Sequence, residues 1–165
     1  MNVEVITCYG GFLRWQEHEE NGCRVDLLYE NSYQDEKISI EASMNSSYQM
    51  NFHFSGRGSS NGVVAFIDIL TQMHEHIPNE EKADALLNCL QYGRTPLLSQ
   101  LQIGKWLLRN KKKTGRISIV GAKALEVKIA KAIMRIARID RIAFFKNNAD
   151  AYAWLGWERP SIGQT

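Results

Sequence analysis

Apolar residues recur along this chain with two periods, two in some stretches and three to four in others, and the switches between them mark the elements. The clearest stretch runs from Arg116 to Leu155. Ile117, Ile119 and Val120 form a short apolar run ending at Gly121, and Ile142, Phe144 and Phe145 form a second. Both have the length and the β-branched or aromatic content of buried strands. Between them Leu125, Ile129, Ile133 and Ile136 recur at spacings of four, four and three, widened by Val127, Ala130, Met134 and Ala137. Lys123, Glu126, Lys128, Lys131, Arg135 and Arg138 lie opposite. That pattern predicts an amphipathic helix, and strand, helix, strand predicts a parallel βαβ pair.

Upstream the period is mostly two. Phe12 to Glu30 reads as a hairpin turning at Asn21-Gly22, and residues 31–36 read as a polar connector. Ile38, Ile40 and Ala42, then Met50, Phe52 and Phe54, alternate with polar residues on either side of Asn45-Ser46-Ser47, which predicts an antiparallel hairpin. A glycine-rich loop over 56–62 follows, with Ser60 or Asn61 expected to cap a helix from Val63 to Ile77. Its spacing matches neither GxGxxG nor a P-loop, and a flexible turn explains it better than a phosphate cradle. Ala83 to Leu90 reads as a central strand. Thr95-Pro96 then predicts an N-cap with proline at the first helical position, and Leu97, Leu98, Leu101, Trp106 and Leu108 are expected to form the apolar side of that helix. Lys111, Lys112 and Lys113 suit its C-terminus, with Gly115 as the residue that ends it.

Composition adds limits. At 165 residues, 44% apolar and 23% charged, the chain suits one soluble globular domain with an appendage. No run of eighteen apolar residues occurs, and the N-terminus lacks a basic segment followed by an apolar one, so neither a span nor a signal peptide is expected and the expected location is cytoplasmic. Cys8, Cys23 and Cys89 are too few and too scattered for a disulfide frame or a zinc site. His74 and His76 stand two apart on a helix and point to different sides, so one metal cannot use both. No metal or other cofactor is expected. No nucleophile, base and orienter share a readable spacing, so an enzyme is not expected either.

Charge is unevenly spread. The first fifty residues are acidic, whereas residues 101–147 carry thirteen Lys or Arg against Glu126 and Asp140. Such a basic half suits an acidic partner, anionic lipid or nucleic acid. The acidic N-terminal part lying close by accounts for it without any ligand.

The element order from residue 37 to 157, together with KISIEAS, YQMNFHFSG, ADALLNCL and the RISIVG to RIAFF unit, resembles a STAS domain. The closing run from Phe144 to Leu155, ending Ala-Trp-Leu, is similar to the SpoIIAA-like branch. The resemblance implies an α/β fold, a mixed sheet flanked by helices over 37–165, with residues 1–36 as an N-terminal β-hairpin extension. That hairpin would cover a sheet edge or supply a homodimer contact through Phe12, Leu13 and Trp15.

The same resemblance implies a non-enzymatic bacterial regulatory module that binds another protein. In anti-sigma-factor antagonists a partner kinase phosphorylates a Ser or Thr at the start of the helix after the central strand. Here Thr95 and Ser99 are the matching candidates and Leu98 the neighbouring contact, with a kinase or an anti-sigma-like regulator as partner. The family's Asp-Ser-Ser/Thr-Gly signature is replaced by Arg94-Thr95-Pro96-Leu97-Leu98-Ser99. The alternative is a module that holds a lipid-like or other apolar anion between helices and sheet, with Lys111, Lys112, Lys113 and Arg116 at the mouth. Nucleic acid ranks third.

Overall fold

The computed structural model describes residues 26–158. Six strands form one sheet in the spatial order of the sequence: β1 (Leu27–Gln34), β2 (Ile38–Asn45), β3 (Gln49–Gly56), β4 (Ala83–Tyr92), β5 (Thr114–Val120) and β6 (Ile142–Phe145). The first two pairings are antiparallel and the last three parallel. Helices α1 (Ser60–Glu75), α2 (Leu97–Asn110) and α3 (Ala124–Ala137) make the parallel crossovers, and α4 (Asn148–Leu155) follows β6. The architecture is the expected mixed α/β sheet, and residues 116–155 form the expected β5-α3-β6-α4.

A sheet built in sequential order with crossovers of one hand places its crossover helices on one face. The packing agrees. Ile40, Met44, Phe52, Phe54, Ala83, Ala85 and Ile117 join Phe66, Met73, Trp106, Leu107 and Met134 in one core. Leu86 and Val120, whose side chains point to the other face, join Ala151, Leu155 and Trp157 of the α4 region in a second. The alternation in β2 and β3 that announced the hairpin is this division: Ile38, Ile40, Ala42, Met44, Met50, Phe52 and Phe54 are all buried.

Several local expectations are corrected. Asn31–Gln34 belong to β1 and pair with Ser39–Ala42 of β2, so most of the polar run is strand at the edge of the described sheet, and only Asp35 and Glu36 fall in the connection to β2. Ser59 caps α1, its hydroxyl accepting from Gly62 N at 2.9 Å, one residue before the expected caps. Pro96 occupies the N-cap position of α2, where it offers no side-chain cap, and Thr95 stands outside the helix. The apolar side of α2 is turned as well. Ser99, Gly104, Trp106 and Leu107 are buried, while Leu97, Leu98, Leu101 and Leu108 are exposed. Leucine spacing misled there because a serine and a glycine take inward positions. In α3 Ile133, Met134 and Ala137 are buried but Leu125 and Ile136 are exposed.

Gly115 does not end α2. It lies inside β5, where any Cβ would overlap the Asp84 carboxylate. Residues 1–25 fall outside the described residues, and with them most of the expected N-terminal hairpin, Cys8, Cys23 and the contact residues Phe12, Leu13 and Trp15.

Candidate functional site

Between the helical face of the sheet and α1, α2 and α3 lies an apolar cavity of about 150 Å³. Met50 and Phe52 of β3, Ala83, Ala85 and Leu87 of β4, and Ile117 and Ile119 of β5 form its floor. Phe66, Leu70 and His74 of α1, Ile103, Trp106 and Leu107 of α2, and Ala130, Ile133 and Met134 of α3 line its other side. The void arises because the inward positions of β4 begin with two alanines, Ala83 and Ala85, opposite another alanine on α3.

Three polar side chains reach the wall, and two of them are occupied. Gln100 Nε2 donates to Thr95 O at 2.9 Å, and Thr114 Oγ1 donates to Asn110 O at 3.0 Å. The third, His74, is 6% exposed and its buried Nδ1 has no hydrogen-bond partner. Its ring stands edge to face with Trp106, centroids 4.6 Å apart. Burial first, and then the nearby Lys113 charge, depress its pKa to about 4. The imidazole is therefore neutral near pH 7 and offers an unpaired ring nitrogen beside an apolar space. His76 lies instead against Tyr29, with ring centroids 5.7 Å apart. Among the described residues no three His, Cys, Asp or Glu side chains are grouped to hold a metal ion.

At the carboxyl ends of β3 and β4 a second feature meets the first. Gly93 N donates to Gly56 O at 2.7 Å, which ties the two loops together. Thr95 is half-buried there, its hydroxyl paired with Tyr92 Oη at 2.8 Å, and Gly58 packs so closely on Thr95 and Tyr92 that a side chain would not fit. Leu98 is 76% exposed in the first turn of α2, whereas Ser99 is buried on the helix underside. Cys89 of β4 is half-buried, with its thiol pushed up to about 12 by burial first and by Glu126 second. It stays protonated and is a poor nucleophile at neutral pH.

Two of the four basic residues expected at a ligand mouth have other engagements. Lys113 Nζ donates to His74 O at 3.1 Å and to Ile77 O at 2.6 Å, closing the end of α1. Arg116 precedes the cavity-lining Ile117 and so points to the opposite face. There it pairs with Asp84 and reaches Trp154 O and Leu155 O at the end of α4. Lys111 and Lys112 are exposed beyond α2. The cavity itself was not legible in the sequence. The only signal for it was the pair of alanines at inward positions of an otherwise apolar strand.

No family model and no curated protein matches the chain. Among solved structures it is similar to an uncharacterised DUF3478-family protein with a SpoIIAA-like fold from Shewanella loihica PV-4. The two superpose with a TM-score of 0.53 at 14% identity, over 83% of this chain and 99% of the other. The chain thus has a SpoIIAA-like α/β fold.

Proposed function

We propose that this SpoIIAA-like chain is a non-enzymatic regulatory module that acts by binding, and that the molecule it holds is a small apolar compound seated in the cavity between sheet and helices. The cavity carries this reading. Its walls are almost wholly apolar, all three crossover helices contribute to them, and it leaves one orphan polar atom, His74 Nδ1. A ligand with an apolar body and a single hydrogen-bonding group fits that inventory, since an unpaired buried nitrogen is costly and a single partner relieves it. An anion suits it less, because the nearest cations, Lys113 and Arg116, are engaged elsewhere.

The test is titration with indole, a ring carrying one N–H, followed by thermal shift and by NMR of the methyls of Ala85, Ala130 and Met134. Saturation at one hundred times Kd should raise stability by about 2.7 kcal/mol. An Ala85→Leu variant, which fills the void, should lose the shift while remaining folded. Wild-type protein with no shift and unperturbed cavity methyls would refute the reading.

A second reading is favoured by one observation, the 76% exposure of Leu98 beside Thr95. A protein partner docks on the first turn of α2, as the resemblance to anti-sigma-factor antagonists implies, in a cytoplasmic setting. Phosphorylation by a partner kinase at Thr95 would break its bond to Tyr92, whereas Ser99 is accessible to a kinase only if α2 lifts from the sheet. Intact mass measurement on protein from its own source, with any added phosphate mapped to a residue, checks the switch. A Leu98→Glu variant that captures the same partner as wild type would exclude the surface.

A further inference from the structure

The last strand has the composition of an interior strand and the position of an edge strand. Ile142, Ala143, Phe144 and Phe145 of β6 make both of its faces apolar, yet none of them is buried. β5 lies on one side of it, and among the described residues no strand lies on the other. Such an edge is a template for a further strand.

The backbone shows which groups the edge offers. Arg141 O and Phe145 O accept from Ile117 N and Gly121 N at the β5 side, at 2.8 and 3.0 Å. Successive residues of a strand turn their N–H and C=O groups to alternate edges, so Arg141, Ala143 and Phe145 face β5 while Ile142 and Phe144 present theirs outward. The side chains are equally ordered. Ile142 and Phe144 stand in register with Ile117 and Ile119, which line the cavity, and so lie on the helical face. There Lys131 Nζ is 5.8 Å from the centre of the Phe144 ring. Phe145 lies on the opposite face against Trp154, with ring centroids 5.9 Å apart.

We propose that β6 pairs antiparallel with β6 of a second copy of this chain, joining the two sheets into one. The two-fold register that sets Ile142 opposite Phe144 of the second copy, and Phe144 opposite its Ile142, lets both outward residues of each strand exchange N–H and C=O bonds. Ile142 against Ile142, or Phe144 against Phe144, joins only one strand residue of each copy in that way. The first register also carries its own charge complementarity. Continued past the strand ends, it brings Asp140 of each copy opposite Lys146 of the other, whereas the alternatives set Asp140 against Phe144 or Lys146 against Ile142. Asp140 and Lys146 are exposed, and among the described residues neither belongs to an ion pair within the chain. Ala143 meets Ala143 at the two-fold axis, where small side chains let the strands approach, and Ile142 packs beside Phe144 on the helical face. The edge shares no residue with the cavity, so the pairing stands or falls independently of what the cavity holds.

The experiment is sedimentation velocity of the full chain from micromolar to near-millimolar concentration, with the charge reversals Asp140→Lys and Lys146→Asp. Wild type is expected to pass from monomer to dimer, and the Ile142 and Phe144 amides to gain protection from hydrogen exchange as it does. Each reversal sets like charges against each other at both ends of the contact, so each variant alone should self-associate at least about tenfold more weakly. Mixed in equal amounts, the two variants should recover a dimer, because every such position then meets its opposite charge. Thermal melts of both should match wild type, since both positions are exposed, and Ala85→Leu, which fills the cavity, should associate as wild type does. Three results would overturn the proposal: wild type that stays monomeric across the range; self-association that neither reversal weakens, as a contact through Phe12, Leu13 and Trp15 would give; or a mixture that dimerises no better than the separate variants.

Discussion

Asp84 on β4 grips Arg116 on β5 through three contacts: Oδ1 accepts from the Arg116 backbone N at 2.6 Å, and Oδ2 accepts from Nε at 3.0 Å and from Nη2 at 2.6 Å. The same guanidinium donates onward to Leu155 O at 2.7 Å and Trp154 O at 3.2 Å, where the unpaired carbonyls of the α4 C-terminus carry partial negative charge. One pair thus joins two strands to the helix on the opposite face from the cavity.

Replacing Arg116 with Met keeps most of the apolar stem and removes this link. With the Arg side chain 37% exposed, solvent screening reduces its worth, and the expected loss is about 1–2 kcal/mol. Urea unfolding measures it. Hydrogen exchange should localise the loosening to α4, leaving the amides of β2 and β3 protected as in wild type.

Gly115 has no room for a side chain because the Asp84 carboxylate and the Ala83 carbonyl occupy the position of its Cβ. Gly115→Ala should cost about 1–3 kcal/mol, as overpacking does. If the carboxylate is the obstacle, the penalty should be smaller when measured on an Asp84→Ala background. Four urea curves, for the wild type, both single variants and the double, decide it.

How much of this was readable beforehand divides along physical lines. The strands of the β2–β3 hairpin, the βαβ unit over Arg116 to Phe145 and the SpoIIAA-like fold were legible, because period and length report which face of an element is buried. The α2 surface was not. Four leucines suggested an inward stripe, yet the helix buries Ser99 and Gly104 in their place, and small inward residues leave no apolar mark. The roles of Lys113 and Arg116 were equally hidden. A run of lysines reads as a helix end or an anion site, whereas Lys113 closes a different helix, 39 residues from His74 in sequence. Contacts between distant segments decide such roles, and the cavity, bounded by three strands and three helices, is wholly of that kind.

The contact of Gly104 with Ile133 sets how closely α2 and α3 approach. Gly104→Ala should push the helices apart and cost about 1–3 kcal/mol, more than the helix propensity gained by removing a glycine. Ile133→Ala removes the obstructing Cγ2 and should itself cost about 2–5 kcal/mol. The double variant is expected to lose less than the sum of the two, by at least about 0.5 kcal/mol. Strict additivity in chemical denaturation would mean that the two side chains do not compete for the same space.

His74 gives the fold a pH dependence of defined sign. Its pKa falls from an ordinary 6.5 to about 4, so between those values the unfolded chain binds a proton that the folded one refuses. Stability therefore rises with pH across this window: it is complete above pH 6.5 and is lost as the pH falls toward 4, with a slope of up to about 1.4 kcal/mol per pH unit. Asp35, held below its ordinary 3.8 chiefly by the backbone N–H groups of Lys37 and Ile38, adds its own loss only further down. In a His74→Phe variant the slope between pH 6.5 and 4 should flatten while the steeper acid limb remains. Lys113→Met tests the second cause of the shift. Without that charge the His74 pKa should move up toward 6.5, visible in an NMR titration of the imidazole, and loss of the two bonds to His74 O and Ile77 O should lower stability by about 1–2 kcal/mol. A titration midpoint unchanged by Lys113→Met would mean that burial alone keeps the ring neutral.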